Sequence, residues 1–305
     1  MDVTPILFAA GRGKRLRPLT DAVPKPALPL LDVPLAAFPL AALTPVGPVV
    51  LNVRHLGPQV TRALAPFAPG GLRVLEETPN AYGTAGTLAA LRDEVGPRVL
   101  TCNADLLTDL DPEALLAAHL RLGAPATLAV AAVSSGADLT VFGDHATELI
   151  DRRTRGARPG ERFIGMAVFE HSVLDLIGER RPVGLAEALI RPLIERGDVA
   201  VLRHEGYARD VGTLVDYLRA SMDLLAGRGP TPPRPYPGQI LEVAAGRAYK
   251  GTGARAQAAS LGPGAVLLAR SSVGVGARVV RSIVWPCESV PAGIEVKDTV
   301  YAPNA

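Results

Sequence analysis

Hydrophobic positions along this chain fall into short runs of strand length, separated by stretches with helical spacing. The apolar runs stand at 6–9, 49–53, 72–75, 99–102, 126–133 and 166–169, and helical patterns occupy 59–64, 87–94, 112–122, 185–196 and 213–225. Half-buried strands alternate apolar with polar residues; these runs do not, so they are expected to be covered on both faces. Their alternation with helices predicts an α/β fold, doubly wound around a mixed, mostly parallel sheet. Asp111-Pro112-Glu113 marks one helix start, with Asp as the cap and Pro in the first turn.

Near residue 228 the pattern changes. Five prolines lie between 230 and 237, which neither a helix nor a central strand tolerates, so a stiff linker is expected over 229–238. Beyond it Leu261, Leu267, Val273 and Val279 are evenly spaced by six, and after a one-residue slip Val284, Val290 and Val296 continue the spacing. A six-residue period fits neither helix nor alternating strand. It predicts a short left-handed parallel β-helix of hexapeptide repeats over 239–305, the alternative being a small irregular β domain. The catalytic domain then spans 1–228.

Composition narrows the setting. The net charge of +2 gives no reason to expect a nucleic-acid partner. Cys102 and Cys287 are too few and too far apart for a metal knot or a disulfide framework. No signal peptide is expected, since Asp2 comes early and the first strand starts by about residue 5. Proline interrupts every apolar run before membrane-spanning length, so no membrane segment is expected and the cytoplasm is the expected compartment.

Candidate chemistry concentrates after the first strand. Gly11-Arg12-Gly13 opens onto Lys14, Arg15 and Arg17, and Lys25 follows between Pro24 and Pro26. Closely spaced glycines let backbone N–H groups approach an anion, arginines clamp its charge, and flanking prolines aim the lysine. A dinucleotide fingerprint would need glycine where Leu16 stands, and a P-loop would need Ser or Thr where Arg15 stands. Only four lysines (14, 25, 250 and 297) stand among the 32 basic residues. A lysine kept against that arginine bias points to a compact point charge at Lys25.

The full pattern, Gly-x-Gly-x-Arg-Leu-x-Pro-Leu-Thr-x-x-x-Pro-Lys-Pro, resembles the signature of nucleotide-sugar pyrophosphorylases, the sugar-1-phosphate nucleotidyltransferases. Lys14 stands where that family more often has a small hydroxyl residue. Gly83-Thr84-Ala85-Gly86 resembles the family's nucleotide-binding run, and Phe163-Ile164-Gly165-Met166 its later sugar-site motif. Asn103-Ala104-Asp105, at the end of an apolar run, is similar to the Asn-Gly-Asp metal motif with alanine for glycine. Asp210-Val211-Gly212-Thr213 is similar to the late Asp-x-Gly-Thr motif, though Asp210 also reads as a helix cap.

The resemblance implies an NTP and a sugar 1-phosphate as substrates, with Mg2+ as cofactor. Arg15 and Lys25 are then catalytic, Ala10, Gly11, Gly13, Glu77, Gly83 and Thr84 bind the nucleotide, Arg152 and Gly165 bind the sugar phosphate, and Asp105 and Asp210 hold the metal. Arg152 or Arg153 stands for the lysine that the family usually places there. Many relatives carry a β-helix tail, so a homo-oligomer formed through the tail is expected.

The base is read from Glu76-Glu77, where uridylyl and thymidylyl enzymes of the family often have glutamine. A carboxylate can accept both guanine N1–H and N2–H, whereas uracil and thymine present one donor flanked by acceptors. GTP with mannose 1-phosphate is therefore the expected pair. The alternatives are a uridylyl- or thymidylyltransferase acting on glucose 1-phosphate or an amino-sugar 1-phosphate, and solvated strand-end glutamates. A non-catalytic sugar-nucleotide sensor would be expected to lack a metal carboxylate or Lys25, and an acyltransferase tail would need more length and a histidine beyond His204.

Overall fold

The structure is a computed structural model that describes residues 2–150 and 158–302. In chain order the first strands are β1 (Val3–Phe8), the short hairpin β2 (Pro29–Leu30) and β3 (Val33–Pro34), β4 (Val50–Val53), β5 (Arg73–Glu76) and β6 (Arg98–Asn103). Next come β7 (Leu106–Thr108), β8 (Ala126–Val133), β9 (Leu139–Phe142), β10 (His145–Leu149), β11 (Gly160–Glu170), β12 (Val199–Arg203) and β13 (Ala208–Asp210).

Nine of these strands form one sheet in the order β5-β4-β1-β6-β11-β8-β12-β10-β9. β1 lies between β4 and β6, parallel to both, and β5 continues this parallel half. The apolar runs are short because both faces are covered. Within β1, Ile6 and Phe8 join one buried cluster while Leu7 joins the other, as a period of two requires.

The far half corrects the mostly parallel expectation. β11 runs antiparallel to both β6 and β8, and β10 is antiparallel to β9 and β12; only β8 and β12 are parallel there. For β9 and β10 the physical reason is connectivity. No helix separates β9 from β10, and strands joined by a short turn must return antiparallel.

Helix Pro112–Leu122 begins as its sequence predicts, with the Asp111 side chain accepting from Glu113 N at 2.9 Å. Helix Leu214–Leu225 is capped by Thr213, whose hydroxyl accepts from Asp216 N. Thr213, not Asp210, is therefore the cap, which leaves the Asp210 carboxylate available for other work.

The chain beyond the proline-rich stretch first makes an antiparallel hairpin of Gln239–Val243 with Gly246–Lys250, which corrects the expectation that parallel coils begin at 239. From Tyr249 onward short strands stack in parallel with partners 17 residues apart. Leu267 faces Val284, Val273 faces Val290 and Val279 faces Val296 in register. The one-residue slip in the six-residue spacing is what sets this offset, since two steps of six and one of five bring like residues into line. All of these valines and leucines are buried. This stack shares a core with the rest of the chain. Tyr249, Ile283 and Trp285 belong to the same buried cluster as Leu7, Leu40 and Tyr217, and the Tyr217 and Trp285 rings meet edge-on at 6.3 Å.

Candidate active site

At the carboxyl ends of β1, β4 and β6 the chain encloses a cleft of about 470 Å3. This is where an open α/β sheet places its ligand, because loops leaving adjacent strands diverge there. Ala10, Gly11, Gly13, Glu77, Gly83 and Thr84 all line it, as do Lys14, Arg15, Lys25 and Asp105.

Gly11 leaves open space where a Cβ would stand, which suits a phosphate cradle. Gly13 is held at φ +62, and a Cβ there would lie 2.9 Å from Lys25 Cβ and 3.0 Å from Thr20 Cγ2. The second glycine thus serves close packing, and it brings the Lys25 segment against the loop.

Lys25 forms an ion pair with Asp105, with their side chains only 11% and 24% exposed. Asp105 and Asp210 converge through the ribbon of β7 and β13, in which Asp210 pairs with Leu106 and Val211 N donates to Asp105 O at 2.9 Å. Desolvation in the crowded cleft and the adjoining Asp105 carboxylate push the Asp210 carboxyl up to about 6. Arg15 reaches the same place, since a Cβ on Gly212 would lie 2.8 Å from its Nη2 and 3.4 Å from Asp210 Oδ2. The elements that looked separate in sequence therefore converge at one end of the cleft.

Two of the remaining expected residues, Gly165 and Glu77, are engaged by neighbours within the protein. Gly165 (φ +98) sits at the irregularity in β11 and presses against Asn103, whose side chain forms the wall of the cleft. Arg152 and its alternative Arg153 lie outside the described residues. Glu77 lines the cleft but is 4% exposed and already engaged. Its Oε1 accepts from Asn52 Nδ2 and from Thr87 Oγ1, both at 2.7 Å, and its Oε2 accepts from Tyr82 N at 2.9 Å. Both lone pairs of Oε1 are used, so the two-oxygen grip on guanine is unavailable; Oε2 keeps one acceptor position. Nor is Glu77 a solvated strand-end charge.

Two contributors were not legible in sequence. Asn52, on β4, accepts from Ala9 N through Oδ1 at 2.6 Å and so ties the start of the glycine loop to Glu77. A polar residue within an otherwise apolar run was the available signal. Val183 is the other. Its carbonyl accepts from Ala85 N and Gly86 N, and its N–H donates to Tyr82 O. Gly83 is held at φ +76, where a Cβ would fall 2.4 Å from Val183 O. Gly83→Ala is therefore expected to cost on the order of 3 kcal/mol of stability, from left-handed strain plus a backbone clash. Denaturant unfolding checks this, and a loss below about 0.5 kcal/mol would contradict the packing described.

Fold and cleft together define the class, a phosphate-handling α/β enzyme of the nucleotide-binding kind. Residues 4–150 match the nucleotidyl transferase family. The chain is 30% identical to mannose-1-phosphate guanylyltransferase of Mycobacterium tuberculosis, across 91% of this chain and 76% of that protein. It is also 30% identical to N-acetylmuramate alpha-1-phosphate uridylyltransferase of Neisseria meningitidis, across 68% of this chain and 93% of that one. The solved structure of HddC from Yersinia pseudotuberculosis shares the fold, with a TM-score of 0.62 at 15% identity over 73% of this chain and 100% of that one. The chain belongs to the nucleotidyl transferase family and is a sugar-1-phosphate nucleotidyltransferase.

Proposed function

We propose that this chain joins GTP to mannose 1-phosphate, releasing pyrophosphate. The observation that carries this reading is the extent of similarity. Likeness to the guanylyltransferase covers 91% of the chain, whereas likeness to the equally identical uridylyltransferase covers 68%. A uridylyltransferase is the second reading, because Glu77 with Oε1 occupied no longer discriminates between the bases: its one remaining acceptor position takes the single N–H of uracil as readily as one from guanine.

In this reading Arg15 and Lys25 bind and polarise the triphosphate over the Gly11 cradle. A sugar-phosphate oxygen attacks the α-phosphorus in line while the bond to pyrophosphate breaks. The nucleophile is already anionic, so no general base is required. Asp105 and Asp210 fit a divalent cation, with Mg2+ the proposed ion. Two carboxylates share one place, where burial and then the Asp105 charge raise the Asp210 carboxyl, and Mg2+ needs few protein ligands alongside substrate phosphates. Among the described residues no cluster of three or more metal-ligating side chains competes with them. When bound, the ion neutralises charge on the phosphates and the leaving pyrophosphate. Until substrate arrives, Lys25 balances the Asp105 charge. A non-catalytic sensor is disfavoured because both carboxylates and Lys25 are present and convergent.

Within a C-terminal unit of 239–305, the parallel strands beyond the first hairpin are proposed to be coils of a hexapeptide-repeat β-helix, and the 229–238 linker is proposed to join that unit to a catalytic unit of 1–228. We propose a homo-oligomer formed through this tail, which light scattering on the whole chain would refute by giving a mass near 31.8 kDa. Truncation would not isolate that role, since it would strip Tyr249 and Trp285 from the common core. No helix among the described residues is long and apolar enough to cross a membrane, and a nucleoside triphosphate substrate argues for the cytoplasm.

The deciding experiment is a pyrophosphate-release screen crossing four nucleoside triphosphates with several hexose 1-phosphates. GTP with mannose 1-phosphate is expected to give the highest kcat/KM. Preference for UTP or dTTP would overturn the base, and release from no pair would overturn the reaction.

A further inference from the structure

We infer that Asp32 is a positioning residue for Lys25, through which the C-terminal strands hold the phosphate-binding lysine in place. This rests on the reading of Lys25 as a triphosphate ligand.

The path is continuous. Lys25 O accepts from Leu28 N at 3.1 Å, and Leu28 O accepts from Leu35 N at 2.9 Å, which closes the β2–β3 hairpin directly onto the lysine segment. Pro26 O accepts from Ala36 N at 2.9 Å, so residues 25–36 form one tied unit. At the hairpin tip Leu31 (φ +50) and Asp32 (φ +60) both adopt left-handed backbone. Two consecutive non-glycine residues in that region are costly and persist only where surroundings enforce them.

The C-terminal strands supply that enforcement. Asp32 Oδ1 accepts from Ala269 N at 2.9 Å, and Oδ2 accepts from Tyr249 Oη at 3.1 Å. Gly251 leaves room for this carboxylate, since a Cβ there would stand 2.1 Å from Asp32 Oδ2. The flank is held too. Tyr217, on the helix that follows Asp210, donates its hydroxyl to Pro29 O, and the Tyr217 ring lies against Trp285. The hairpin thus links Lys25, the Asp210 segment and the C-terminal strands. Loss of the Asp32 contacts frees the tip to relax and shifts Lys25 away from Asp105.

The test compares wild type with Asp32→Ala, Asp32→Asn and Tyr249→Phe. With only four lysines in the chain, acetylation of Lys25 in the substrate-free protein can be followed by mass spectrometry, with Lys297 as internal reference. Asp32→Ala is expected to raise Lys25 acetylation several-fold and to lower kcat/KM for the nucleoside triphosphate by at least about tenfold, leaving KM for the sugar phosphate unchanged. Asp32→Asn keeps an acceptor for Ala269 N and a polar partner for Tyr249, and should restore both readouts. On a Lys25→Met background, Asp32→Ala should add no further loss.

Wild-type Lys25 reactivity in a folded Asp32→Ala protein, or additive losses in the double variant, would overturn the inference. If Asp32→Ala does not fold, Tyr249→Phe must show raised Lys25 reactivity, or the inference fails. The labelling needs no substrate. A changed Lys25 reactivity in a protein that turns over no substrate pair would uphold the positioning role while defeating the proposed reaction.

Discussion

Asparagine in place of Asp105 or Asp210 should leave a folded protein that turns over at least ~100-fold more slowly at saturating Mg2+. Each substitution removes a negative charge from the one place where two carboxylates converge, while nearly preserving shape. The two variants should differ in their side effects. Asp105→Asn also releases Lys25 from its ion pair, so it should raise KM for the nucleoside triphosphate as well as lower kcat. Asp210→Asn removes the group that crowding and Asp105 already push up to about 6. It relieves repulsion, so it should be neutral or mildly stabilising to unfolding while still losing turnover. Steady-state kinetics with denaturant unfolding separates these effects, and near-normal turnover in both variants would sink the metal assignment.

Lys25→Arg should not behave as a conservative change. It is expected to cost roughly 2 kcal/mol or more in kcat/KM, about a thirtyfold loss. The lysine stem runs beside Gly13 with no spare room, since even one Cβ on that glycine would stand 2.9 Å from Lys25 Cβ. Its ammonium is a compact charge seated against Asp105, and a planar guanidinium fork would need that space and a different approach. The arginine bias of the chain strengthens the expectation, because an arginine that worked here would have been in keeping with the rest of the composition. An arginine variant with wild-type kinetics would show that charge alone suffices.

Much of this protein was legible along the chain, for a physical reason. Burial imposes a period, so the strand at 126–133 and the helix at 112–122 could be bounded to the residue. Six-residue spacing with one slip marked positions that are buried in the C-terminal strands. The glycine loop and Lys25 stood out by residue type and local order, and the two carboxylates by the resemblance of their surroundings to motifs of the family. Pairing direction was not legible. Nothing within 160–170 says that the strand runs antiparallel to its neighbours, since periodicity records which faces are covered and not which strand lies alongside.

Hydrogen-bond partners were equally hidden. Asn52 and Ala9 are 43 residues apart, and Asp32 and Ala269 are 237 apart. In sequence Glu77 was a free carboxylate able to read a base with both oxygens; in the fold three donors from three segments take most of its capacity. Residue type and spacing determined what chemistry the chain could carry and roughly where its elements begin and end. Tertiary structure alone decided which polar groups remain available for that chemistry. A buried donor or acceptor must find a partner wherever the fold brings one, and no local pattern encodes which distant residue will supply it.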